Sequence, residues 1–265
     1  MSVGARLLRL TGRLPVKGDW AQRLVEPAFR RSSHAFRGVY DSHAAAARSA
    51  PAGKPVGYDM ADAAGYYKER TTRIYPADYP MLWWLRHGFE NGARRVLDLG
   101  GHIGVSYYAY QRYLDFPEDT DWTVLDVPAV CEEGRRYAQE RAAPGLSFTA
   151  SWGPLDDVDI LFSAGALQYL ENGLPDLLAQ WGRPRYLLLN LLPQGPFPTF
   201  YTLQTIGVSY CPYRIESSEA FVDGLRALGY TPIDQWENPE KSCLIPFHPE
   251  RSLDHYVGGF WERTK

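Results

Sequence analysis

A short apolar strand that breaks into glycines and then into a helix constrains this chain more than any other feature. The stretch is Val96-Leu97-Asp98-Leu99-Gly100-Gly101-His102-Ile103-Gly104. Such a turn lets backbone N–H groups approach a ligand closely. It opens an alternation that runs through most of the remaining chain. RRVLDLG, WTVLDV, LSFTAS, DVDILFSAG and RYLLLNLLP read as buried strands. VSYYAYQRYLDF, PAVCEEGRRYAQERA, ENGLPDLLAQWG and SSEAFVDGLRALG read as amphipathic helices between or after them. Apolar strands alternating with such helices predict a mostly parallel, Rossmann-like α/β sheet of seven strands with helices on both faces. YTPIDQWE and KSCLIPF have no helix between them, so the last strand is expected to pair antiparallel.

The glycine turn departs from the dinucleotide pattern. GxGxxG would place a pyrophosphate on a helix N-terminus; here only Gly101-x-x-Gly104 remains, and Asp98 sits in the approach to it. A carboxylate there would repel a pyrophosphate but could accept hydrogen bonds from a cationic amino-acid moiety, which favours S-adenosyl-L-methionine (SAM) over NAD. Twenty-two positions beyond Gly104 the next strand ends in Asp126, followed by Val127. That is where an acid accepts hydrogen bonds from ribose hydroxyls in such a β-α-β unit.

Composition excludes several classes. With a formal net charge of -3 over 265 residues, nothing global points to nucleic acid. Cys131, Cys211 and Cys243 are odd in number and form no CxxC pair, which favours a reducing, cytoplasmic setting over a disulfide framework. No histidine or acid spacing suits a catalytic metal. The first residues carry Arg6, Arg9, Arg13, Lys17, Arg23, Arg30 and Arg31. They read as a solvated basic helix or arm, with weak contact to an anionic membrane surface or a partner as the sharper reading. Residues 1–90 are expected to form an N-terminal helical arm and cap, and 91–265 the catalytic sheet with an insert at about 193–215.

DLGGHIG resembles the first motif of class I SAM-dependent methyltransferases, DWTVLDVP their second-strand acid motif, and SAGALQYL their fourth-strand segment. More narrowly, the chain is similar to a bacterial group of methyltransferase-like proteins often associated with surface-polysaccharide genes. The matching stretches include FRGVY at 36–40, GYD at 57–59, ADYP at 77–80, TLQTIG, CPYRI, WENP and IPFHPERS, so the likeness spans roughly residues 36 to 260. His102 stands where the general pattern has its middle glycine. The resemblance implies SAM as cofactor, held by Asp98, Gly100, Gly101, Gly104, Asp126 and Val127. It further implies Ser151 and Trp152 at the adenine, Ser163, Ala164, Gln168 and Tyr169 near the reacting groups, and Tyr67 and Arg70 reaching the methionine carboxylate.

Other candidates come from the residues themselves. His102 is the histidine nearest the expected methyl donor and the leading general base, with Gln168 and Tyr169 orienting an acceptor hydroxyl. The long aromatic insert reads as an irregular loop that offers Tyr201, Gln204, Tyr210, Tyr213 and Arg214 to a sugar or flat ring and to a carboxylate or phosphate, and His248 could approach the rim. A lid or homodimer contact is the alternative use of that insert. O-methylation of a small polar acceptor, a glycan unit or specialised metabolite, is the expected activity, with N-methylation beside it. A NAD- or nucleotide-sugar-dependent oxidoreductase and a non-catalytic SAM-binding protein are the competing expectations.

Overall fold

The computed structural model describes residue 11 and residues 19–58 and 68–264. In chain order, α1 spans Asp19–Arg31, β1 Ala35–Tyr40, α2 His43–Arg48, α3 Tyr79–Glu90, β2 Arg95–Leu99, α4 Val105–Tyr110 and β3 Asp121–Leu125. Then come α5 Pro128–Glu140, β4 Leu146–Thr149, β5 Ile160–Ala164, α6 Leu174–Trp181, β6 Tyr186–Leu192 and β7 Gln194–Gly195. The chain continues through β8 Phe200–Thr205, β9 Tyr210–Ser217, α7 Ser218–Ala227, β10 Tyr230–Asn238 and β11 Tyr256–Arg263.

Seven strands form one sheet in the order β10-β11-β6-β5-β2-β3-β4. The run from β4 to β6 is parallel, while β11 lies antiparallel between β6 and β10. This is a Rossmann-like sheet, with both faces covered. Side chains alternate across it, as strand geometry requires. Val96, Val124, Ile160, Phe162 and Leu188 meet Met81, Leu85 and Phe89 of α3 and the tyrosines of α4 on one face. Leu97, Leu125, Leu161, Leu187 and Leu189 meet Leu174, Leu178, Phe221 and Leu225 of α6 and α7 on the other.

Three expectations need correction. KSCLIPF is no strand: Cys243 makes only an isolated bridge to Leu253, and the last strand is YVGGFWER. Gly258 and Gly259 hide it from a reading that looks for apolar runs. A Cβ on Gly258 would lie 2.3 Å from the Trp236 ring, so the strand has glycine there because β10 lays an indole across it. The insert is likewise not irregular. Its strands β8 and β9 form an antiparallel hairpin closed at Gly207, and with β1 and β7 they build a four-stranded sheet in the order β1-β8-β9-β7. Prolines in and around it, Pro196, Pro198 and Pro212, mask the strand pattern. The third correction follows from the second. FRGVY is a strand rather than part of a helical cap, because Ala35–Tyr40 pairs with β8. Of the basic arm, Arg23, Arg30 and Arg31 lie in α1, and the earlier basic residues lie outside the described residues. No described helix is long and apolar enough to cross a membrane.

The carboxyl ends of the strands are tied together by Asn190 at the end of β6, which is 1% exposed. Its Nδ2 donates to the Ala77 carbonyl at 2.7 Å, and its Oδ1 accepts from Trp236 Nε1 and Asn238 Nδ2, both at 2.9 Å. Asn190→Leu would leave one buried and two half-buried polar groups without this partner. At about 1–3 kcal/mol for each unmet group, some of it relieved by relaxation, a loss of about 3 kcal/mol is expected. Thermal unfolding should then show Tm lower by roughly 6–12 °C; a fall under about 2 °C would mean that Asn190 does not tie these elements together.

Candidate active site

The order of strands reverses between β2 and β5, and open α/β sheets bind ligands in the crevice outside such a switch point. At that place the turn after β2 is strongly bent. Gly100, His102 and Gly104 all have left-handed φ, +73°, +58° and +86°. Glycine adopts this at little cost, whereas a histidine there is strained by roughly 1–3 kcal/mol. The close approach is steric as well as conformational. A Cβ on Gly100 would lie 2.1 Å from Ala166 Cβ in the turn after β5, and one on Gly101 2.2 Å from Asp98 Oδ2. The glycines therefore let the two strand ends and the acid beneath them close up.

Asp126 fastens this turn to its neighbour. Its Oδ2 accepts the His102 backbone N–H at 3.0 Å, and its Oδ1 accepts the N–H of Val127 at 2.8 Å. Asp126 and Val127 are both half-buried at the end of β3.

Asp98 takes a different place from the one expected. It is 1% exposed, beneath the turn rather than in the open crevice, and Trp122 Nε1 donates to its Oδ2 at 3.2 Å. Burial pushes its carboxyl up to about 8, the charge of Asp126 adds to the rise, and the Trp122 hydrogen bond opposes it. Asp98 is thus mainly protonated at neutral pH. Behind it the Tyr110 hydroxyl donates to Asp78 Oδ1 at 2.8 Å; burial first, then the charges of Asp78 and Asp98, push that phenol well above its ordinary range.

The turn after β5 brings in the acceptor-side candidates. Gln168 and Tyr169 lie in the single 3-10 turn Leu167–Tyr169. Gln168 is buried and donates to the Gly165 carbonyl at 2.8 Å. Tyr169 donates to Gln204 Oε1 at 2.8 Å. The buried His102 ring and the Tyr169 ring are both reached by Tyr58, at centroid distances of 6.5 and 6.4 Å. His102, Tyr58, Tyr169 and Gln204 thus form a continuous polar and aromatic wall beside the turn. Tyr58 was missed as a site residue because GYD gives no chemical signal on its own.

Several candidates make contacts within the fold. Ser163 is fully buried and donates to the Leu99 carbonyl at 3.0 Å, joining β5 to β2, while Ala164 is half-buried beside it. Trp152 stacks on Trp181 at 6.4 Å and packs with the α6 face, and Ser151 is exposed in the preceding turn. Tyr210 is buried against Phe29 of α1, and Tyr213 is buried with its hydroxyl donating to Tyr256. Arg214 is bonded to Glu216 at 2.8 Å, to the Glu171 carbonyl at 2.9 Å and to the Tyr201 hydroxyl at 3.0 Å, so three of its five N–H donors are engaged within the fold. Tyr201 itself donates to the Glu171 carbonyl. Alternation along β8 and β9 sends these side chains into the second sheet's own packing, which a reading as a loop could not foresee. His248 faces Glu250 at 3.4 Å in the turn before Pro249–Arg251. Arg70 lies over the Tyr75 ring at 5.0 Å, and Tyr67 falls outside the described residues. A cleft at the amino edge of the sheet, with Arg94, Arg95, Asp119 and Asp159 among its lining, lies at the far end of β2 from the glycine turn; there Arg94 pairs with Asp119, and Asp159 accepts the backbone N–H groups of Arg94 and Arg95.

No protein-family profile and no curated protein matches the sequence. Solved structures resemble the chain in outline. One is a 1,6-didemethyltoxoflavin-N1-methyltransferase of Burkholderia thailandensis, at 20% identity over 72% of this chain and 79% of that one, TM-score 0.43. Another is the magnesium protoporphyrin IX methyltransferase of Synechocystis PCC 6803, at 13% identity over 70% and 77%, TM-score 0.45. A third is a glycopeptide N-methyltransferase, at 12% identity over 73% and 97%, TM-score 0.47.

The position of Asp98 has a consequence for stability. Its carboxyl titrates near 4 in the unfolded chain and at about 8 in the folded one. The folded state therefore holds a proton the unfolded state has lost, and stability falls as pH rises from about 4 to about 8. Asp98→Asn, which imitates the protonated acid, should gain Tm relative to the unmodified protein as pH is raised from 5 to 8. Melting curves at each pH check this, and a Tm difference that does not change with pH would show that Asp98 is ionised in the fold.

Proposed function

We propose that this protein is a SAM-dependent methyltransferase acting on a small polar acceptor through a hydroxyl, with an amine as the second choice and a glycan unit or specialised metabolite as the acceptor class. The observation that carries the reading is the hydrogen bond from His102 N–H to Asp126 at the switch point of the sheet. A pyrophosphate on this turn would need such backbone donors for itself, and here one is already given to a carboxylate. A ligand with ribose hydroxyls and no phosphate suits the same place, because a half-buried carboxylate at the end of β3 is an acceptor and repels phosphate.

SAM supplies an electrophilic methyl group on a sulfonium. The chain's own residues would bind, orient and enclose. Asp126 would hold the ribose, and the backbone of Gly100–Gly104 and Val127 would lie along the nucleoside. The Asp98 carboxyl beneath Gly101 would stabilise positive charge above it, being drawn toward its ionised form as that charge arrives. His102, on the turn itself, is the group best placed to take the acceptor's proton, and Tyr169 would orient the acceptor. Alignment of donor and acceptor supplies much of the acceleration in such a transfer.

Calorimetry should show SAM and S-adenosylhomocysteine binding in the micromolar range, with NADH silent. Asp126→Ala removes charge-assisted hydrogen bonds of about 1.5–3 kcal/mol, so binding of either ligand should weaken roughly 10- to 100-fold. Because the sulfonium carries a charge that the homocysteine sulfur lacks, SAM should release more protons on binding at pH 7–8 than S-adenosylhomocysteine does. Repeating the titration in buffers of different ionisation enthalpy measures this. Absence of binding by both ligands would refute the reading.

A further inference from the structure

A chain of hydrogen bonds leaves the acceptor side of the site and ends at the surface. The Tyr169 hydroxyl donates to Gln204 Oε1 at 2.8 Å, and Gln204 Nε2 lies 3.2 Å from His34 Nδ1. The members come from three separate elements: the turn after β5, strand β8, and the residue leading into β1. Gln204 is 2% exposed, so its amide depends on these two partners, whereas His34 reaches solvent.

We propose that His34 and Gln204 are positioning residues which together fix the direction in which the Tyr169 hydroxyl points its proton. The methyltransferase reading supplies only what Tyr169 faces; the coupling rests on the three side chains.

The reasoning is one of donor and acceptor balance. A carboxamide has one accepting end and one donating end. With Oε1 turned to Tyr169, the amide nitrogen faces His34, and Nδ1 must then be bare, with the ring neutral and its proton on Nε2. In that state Tyr169 spends its proton on Gln204 and meets an acceptor with its oxygen. That suits an acceptor group which itself donates, a hydroxyl or an N–H. Protonating His34 puts a hydrogen on Nδ1 opposite the amide nitrogen, and a donor facing a donor is relieved by turning the amide over. The amide nitrogen then donates to Tyr169, and the phenolic proton is turned toward the acceptor.

The surroundings keep the first state at neutral pH. Burial on one side and the charge of Lys241, from the segment after β10, lower the His34 pKa below its ordinary value. Lys241 is the charged group that acts on His34. Arg37 belongs to the other face of β1 by alternation and is bonded to Glu26 of α1 at 3.0 Å. Phe36 meets the imidazole edge-on at 5.3 Å, and the Ser32 Oγ accepts from the His34 N–H.

The test uses the full chain labelled with 3-fluorotyrosine and ring-13C histidine, with Tyr169→Phe and His34→Ala assigning the two signals. Between pH 5 and 8 the Tyr169 fluorine signal should step at the midpoint of the His34 titration. The step should vanish in His34→Ala, whose exposed position lets circular dichroism confirm an intact fold, and in Gln204→Leu. A Tyr169 signal that stays flat through the His34 titration, or a step that survives in His34→Ala, overturns the proposal. S-adenosylhomocysteine calorimetry on the same samples separates the two readings. Binding with a flat fluorine signal defeats the coupling alone; a clear step without binding defeats the methyltransferase reading alone.

Discussion

The hydrogen bond between the Asp126 carboxylate and the His102 N–H governs the rest of this site. It joins the end of β3 to the turn that leaves β2, and so fixes the width of the crevice at the point where the strand order reverses. It holds a histidine in a left-handed conformation that the residue would otherwise avoid. It also places a half-buried charge close enough to Asp98 to help raise that acid's pKa. The electrostatic character of the turn follows: one acid faces the crevice, and the other lies below it carrying a proton.

Much of the sheet was legible because its strands are buried on both faces. Continuous apolar runs such as RYLLLNLLP and DVDILFSAG have no other use in a chain of this composition. The turn was legible for a different reason, since glycines at 100, 101 and 104 mark places where a Cβ or an ordinary φ does not fit. What could not be read was anything decided across the chain. The last strand is written with glycines because of an indole on β10. The second sheet is assembled from segments whose pairing no local pattern specifies.

The candidate site divides along the same line. Asp126 and the glycines were found from their spacing, and the structure brings them together. Asp98 was found too, but as a charge facing a ligand. Its burial against Trp122 changes its protonation, and burial is not visible in a motif. Arg214 was chosen for its chemistry, yet Glu216, two residues along the same strand, already neutralises it. His34 and Tyr58 gave no signal at all, because each matters only through a residue distant in sequence.

The pairing of β1 with β8 has a bearing on how the protein is made. Ala35 lies opposite Thr205, so on the ribosome the first strand is synthesised about 170 residues before its partner. At ordinary elongation rates that interval is roughly 10 to 30 s, long enough for the strands around the glycine turn to begin collapsing. The wall that carries Gln204 thus closes late, over a parallel-strand framework already taking shape. Until then AFRGVY waits with an unpaired edge, open to misassociation with other strands.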